Sequence, residues 1–179
     1  TLKQLHKKNI IYHDLKNLNV YLDDKLEPKL GDFELAKFTT NQHEMIKSIG
    51  NPLFMAPELF TDEYETYSFP VDVYSFSIFL YNMFVEKFVL DNNKPIRSPQ
   101  GYLMSIGKGE RPKKIDTIPD HYWDLNQICW KNDPSERPSF NEIVKILKED
   151  KYAIEEFGMK TNLDKLHEYQ SRIDIVFPH

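Results

Sequence analysis

Four side chains near the start of the chain have the types and spacing of a phosphate-handling site. Asp14 lies in YHDLKNLN, Asn19 follows five residues later, and Asp32 comes thirteen after that, in LGDFELAKFTT. An acid, an amide and a second acid on adjoining loops make an all-oxygen set of the kind hard cations such as Mg²⁺ take, with phosphate oxygens completing the shell. Lys16, two residues from Asp14, adds a compact positive charge suited to a transferring phosphoryl group. Singly, each residue is equally a turn former or a strand end; the set and its spacing carry the chemistry.

The elements around these residues are legible in outline. Leu2, Leu5 and His6 have helical spacing and read as the tail of a helix, followed by a loop over 12–19. Strand candidates at 20–23 (VYLD) and 28–31 (PKLG) flank the turn-like DKLE. Residues 34–55 show neither period and read as a long functional loop. From Pro70, or from a cap at Ser68, a helix apolar on most sides is predicted, with Val71, Tyr74, Ile78, Tyr81 and Val85 on one face and Val73, Phe76, Leu80 and Phe84 on another. A short helix over 102–106, one over 119–130 with Tyr122, Leu125, Ile128 and Cys129 inward, and one opened by a Ser139–Glu142 capping box follow. An amphipathic segment is expected at 163–173. The fold class is α+β, mainly α-helical, with a small strand pair beside the loop.

Bulk properties narrow the function. The chain has 179 residues, a net charge of −5, and no basic stripe, which argues against nucleic acid as a partner. Its most apolar run, residues 76–84, is shorter than the roughly 20 residues a bilayer span needs, so no membrane is expected. The single cysteine, Cys129, reads as a buried small hydrophobe and points to a reducing, cytoplasmic setting. No signal peptide is visible, and the chain opens without Met, as if inside a domain.

The blocks then line up with a known family. YHDLKNLN resembles the protein-kinase catalytic loop H-R-D-L-x-x-x-N, Asp32–Glu34 resembles D-F-G, and GNPLFMAPE resembles the end of an activation segment. DVYSFSIFLY and CWKNDPSERPSF are similar to two further kinase blocks. Over residues 1–150 the chain therefore resembles the C-terminal lobe of a eukaryotic protein kinase, with 151–179 as a helical extension. DLKNLN resembles serine/threonine kinases and CWKNDPSERPSF the tyrosine-kinase-like group. The resemblance implies ATP and Mg²⁺ as cofactors and a protein as substrate. It makes Asp14 the catalytic base, Lys16 the γ-phosphate contact, Asn19 and Asp32 the metal ligands, and Tyr21 part of the adenine floor. It also implies a buried Glu58–Arg137 pair and a brace from Asp72 to the catalytic-loop backbone.

Departures shape the rest of the expectation. Tyr12 stands in the His place, where its ring can still pack on Phe33, and His13 in the Arg place, where neutral imidazole cannot clamp a phosphate on Thr39, Thr40 or Ser48. Asn51 replaces the usual Thr. Glu34 replaces a glycine whose backbone freedom it lacks. Asp-x-Glu is also seen in small-molecule kinases resembling aminoglycoside and choline phosphotransferases. No glycine-rich loop or strand lysine occurs in these residues; the N-terminal lobe is expected in the parent protein, and this chain alone is expected to be nearly inactive. A pseudokinase or truncated lobe acting as a binding module is the alternative.

Overall fold

The computed structural model describes residues 1–39, 51–61, 67–85 and 98–152. Thr40, Ser48 and the 163–173 segment lie outside these. The chain divides into two compact units, residues 1–143 and 144–179.

In the first unit α1 (Leu2–Lys7) runs into β1 (Ile10–Ile11), and the hairpin β2 (Val20–Leu22) and β3 (Pro28–Leu30) follows. Tyr21 faces Lys29 and Val20 faces Leu30 across this antiparallel pair. The sequence reading of 34–55 as loop throughout needs correction. Lys37–Phe38 form β4, antiparallel to β1 with Ile10 opposite Phe38, and Pro52–Phe54 and Pro57–Leu59 form 3₁₀ turns. A two-residue strand is too short to carry a period, so nothing in the pattern marks it.

The centre is α2 (Pro70–Asn82), started by Pro70, whose missing N–H costs nothing in the first turn. Nine of its 13 residues are buried, on every side. The helix ends at Asn82, so Phe84 and Val85 fall beyond it. Its two buried serines avoid orphaned hydroxyls: Ser75 donates to the Phe54 carbonyl at 2.8 Å and Ser77 to that of Tyr74 at 2.6 Å. Helix α3 (Pro99–Gly107) packs on both 3₁₀ turns, and α4 (Asp120–Cys129) packs on α2. Tyr122, Leu125 and Cys129 are buried, whereas Ile128 is only half-buried. Burial pushes the Cys129 thiol up to about 12, so it is inert at neutral pH. Ser139 and Glu142 form the expected capping box at α5 (Phe140–Leu147): the Ser139 hydroxyl and amide donate to Glu142 at 2.8 and 2.7 Å.

In the second unit, the described residues close α5 and make a 3₁₀ turn, Asp150–Tyr152, beside a Lys151–Glu149 contact of 2.8 Å. Among the described residues no helix is long and apolar enough to cross a membrane.

Candidate active site

The loop between β1 and β2 is fixed from below by one buried carboxylate. Asp72, in the first turn of α2 and fully buried, accepts the Tyr12 amide on Oδ2 and the His13 amide on Oδ1, both at 2.8 Å. Its third partner is His6 Nε2, at 2.9 Å. A buried charge with three donors is tolerated where a bare one is not. The sequence singled out Asp72 but not His6; the only clue was a histidine amid the helical spacing of α1. The brace holds a strained backbone, because His13 has φ 66°, a conformation that costs a non-glycine residue about 1–3 kcal/mol.

Asp14 sits at the top of this loop, 5% exposed. Lys16 Nζ and Asn19 Nδ2 both donate to its Oδ2, each at 2.6 Å, and Asn19 Nδ2 also reaches the Asp14 carbonyl at 2.9 Å. These bonds converge on one oxygen. Among the described residues none ends on Oδ1, which is left to accept a proton.

Tyr12 links this loop to Asp32. Its hydroxyl donates to the Gly31 carbonyl and its ring meets Phe33 edge-on at 5.3 Å. Burial pushes this phenol up to about 12; the Asn19 amide works against that, and the charges of Asp14, Asp32 and Asp72 add to it. Asp32 is exposed, takes a left-handed backbone (φ 49°), and lies 3.5 Å from the Glu34 amide. The special conformation falls on Asp32 and not on Glu34, so Glu34 carries no backbone strain in the glycine position. Tyr21 is 56% exposed and lies over Gly31, where an added Cβ would come within 2.5 Å of its ring.

The remaining sequence candidates lie apart from the loop. Arg137 meets both carboxylate oxygens of Glu58, at 2.6 and 2.8 Å, with both side chains buried. Asn51 Oδ1 accepts the Leu53 amide at 3.1 Å and so caps the 52–54 turn.

Which residues could hold a cation follows from the donor set. No cluster of three or more acidic, His or Cys ligands exists among the described residues. One carboxylate, Asp32, and one amide, Asn19, are on hand. Asn19 turns its nitrogen to Asp14, which puts its oxygen on the opposite side of the amide. So sparse a set fits a hard cation that takes most of its ligands from phosphate and water.

The sequence profile described as "Protein kinase domain" matches residues 1–147. The chain belongs to the protein kinase family. This kinase chain is 36% identical over 146 residues to "RGS domain-containing serine/threonine-protein kinase A" of Dictyostelium discoideum, covering 82% of the chain and 12% of that protein. It is 37% identical over 144 residues to "Dual specificity protein kinase shkB" of the same organism, covering 79% of the chain and 21% of the relative. Against "Serine/threonine-protein kinase STY17" of Arabidopsis thaliana it is 32% identical over 146 residues, covering 82% and 25%. The kinase chain thus spans a quarter or less of the length of these relatives.

His13 gives this kinase chain a pH-dependent stability. Its ring meets Tyr67 edge-on at 5.1 Å, its Nδ1 pairs with the Leu35 carbonyl at 3.1 Å, and its buried Nε2 has no hydrogen-bond partner among the described residues. Burial holds its pKa below the ordinary 6.5; Lys37 acts the same way, while Asp72 and the Leu35 and Ile11 carbonyls oppose it. The unfolded chain therefore takes up this proton first, so stability is full above pH 6.5 and is lost as pH falls through it. Urea midpoints measured between about pH 8 and 5 should fall less steeply in His13→Gln than in the unmodified chain. Equal slopes would show that His13 is not the group responsible.

Proposed function

We propose that residues 1–150 are the larger, catalytic lobe of an ATP-dependent kinase that phosphorylates serine or threonine hydroxyls of proteins, with 151–179 as an extension. The observation that carries this reading is the Asp14 carboxylate, held through Oδ2 by Lys16 and Asn19 with Oδ1 open. A base must be fixed in direction and have a free lone pair, and this one has both. The relatives are named serine/threonine or dual-specificity kinases, which supports protein hydroxyls as acceptors.

Asn19 and Asp32 would hold Mg²⁺, which when bound neutralises charge on the transferring phosphoryl group. Lys16, 22% exposed, would leave Asp14 for a γ-phosphate oxygen. Tyr21 would lie under the adenine. Leu22, Leu26 and Phe33 are also exposed on and around the hairpin, as expected of a face that a nucleotide and a second lobe would cover.

The glycine-rich loop and strand lysine that clamp the phosphates in family members are absent from these 179 residues. The purified chain should accordingly transfer phosphate from ATP to a generic protein substrate at background rate. The parent protein carrying those parts should do so in a Mg²⁺-dependent way, at about 1–100 s⁻¹. Transfer at that rate by residues 1–179 alone would refute the need for a second lobe. Failure of the parent protein to bind Mg²⁺·ATP would favour the binding-module reading instead.

A further inference from the structure

A hollow of about 350 Å³ opens beside His6 and Arg137, outside the site described above. Its apolar wall comes from Phe69, Val73 and Phe140, and Lys3 and Lys7 of α1 also line it. Those lysines are four residues apart, so they stand on one face of the helix. The chain has 28 acidic and 23 basic residues, yet no Asp or Glu is among the described residues that line the hollow. The other two basic side chains at the hollow are already engaged, His6 with Asp72 at 2.9 Å and Arg137 with Glu58 at 2.6 Å. Lys3 and Lys7 have no ion-pair partner among the described residues. Two unmatched positive charges therefore stand at an aromatic recess, in a volume at the lower end for small-molecule sites. Aromatic packing already runs along the wall, with the His6 ring 4.5 Å from Phe69 and 5.1 Å from Phe140.

We propose that this hollow binds a small organic anion with an aromatic body, its charge met by Lys3 and Lys7 and its ring by Phe69, Val73 and Phe140. Such an occupant touches the two residues that tie the site to the body of the fold. His6 leads through Asp72 to the Tyr12 and His13 amides, and Arg137 leads to Glu58 in the 57–59 turn. Binding here does not depend on the kinase reading.

The test is saturation-transfer NMR and calorimetry on the 179-residue chain with 3-phenylpropionate and its neutral amide. The acid should bind saturably and roughly three- to tenfold more tightly than the amide, the range expected for exposed charge pairs. It should also shift the His6 imidazole resonances. The Lys3→Gln/Lys7→Gln variant changes two surface side chains of good helix propensity, so the fold should persist by circular dichroism while the preference for the acid disappears. Absence of saturable binding up to about 10 mM, equal binding of acid and amide, or an undiminished preference in the double variant would each overturn the proposal.

Discussion

Arg137→Met should destabilise the first unit by about 3–5 kcal/mol, a large share of the roughly 5–15 kcal/mol that holds a domain together. The guanidinium uses all five of its N–H groups. Two go to Glu58, and the others go to the carbonyls of Pro70 at 3.0 Å, Lys131 at 2.8 Å and Asn132 at 3.2 Å. Its face also lies 5.2 Å from the centre of the buried Tyr74 ring. Methionine fills much of the volume but leaves the Glu58 carboxylate buried without the guanidinium that pairs with it and takes one donor from each of three carbonyls. Adding Glu58→Leu removes the bare charge and should restore part of the loss, not all of it, because the three bonds from the guanidinium to carbonyls stay lost. Arg137→Lys should recover little, since an ammonium cannot span the two carboxylate oxygens and the three carbonyls at once. Denaturant midpoints of the unmodified chain, Arg137→Met, Glu58→Leu and the double variant give the coupling directly. A loss below about 1 kcal/mol in Arg137→Met would put this pair in the class of exposed ion pairs and contradict its burial.

The contrast between that pair and the finer details of the site shows what the sequence can carry. Glu58 and Arg137 were legible as a pair because their blocks resemble those of the kinase family, and a buried charge demands a partner. The all-round apolar α2 was legible because a helix buried on every side has no polar face. The Ser139–Glu142 cap was legible because its two bonds depend only on a three-residue spacing. What stayed hidden needs the third dimension. Ile10–Ile11 and Lys37–Phe38 are too short to show a period and pair across 25 intervening residues whose path no local rule gives. His6 reaches Asp72 over 66 positions, and the hydroxyl of Tyr12 finds the Gly31 carbonyl through a turn of the hairpin. The special backbone found at Asp32 was expected two positions later, at Glu34, where glycine is usual. Spacing brought Asp14, Asn19 and Lys16 together, but not the fact that both donors end on the same oxygen.

That shared oxygen sets the expected outcome of Asp14→Asn. In the parent protein kcat should fall about 10²–10⁴-fold, the range for loss of a positioned base, while the KM for ATP stays unchanged because neither proposed metal ligand is touched. Asparagine matches aspartate in shape, so the change is one of polarity. Two donors, the Lys16 ammonium and the Asn19 amide, face the Oδ2 position from 2.6 Å each. Only the oxygen of the new amide can sit there, because its NH₂ would oppose both. The NH₂ is then forced into the Oδ1 position, where, in the proposed reading, the substrate hydroxyl would deliver its proton. A donor thus replaces the acceptor at the one point the chemistry needs it, with the rest of the network intact. Steady-state kinetics separates this from a folding effect, since the urea midpoint should hold while kcat drops. A loss smaller than about tenfold, with the midpoint unchanged, would mean that Asp14 is not the base and that the open Oδ1 has another use.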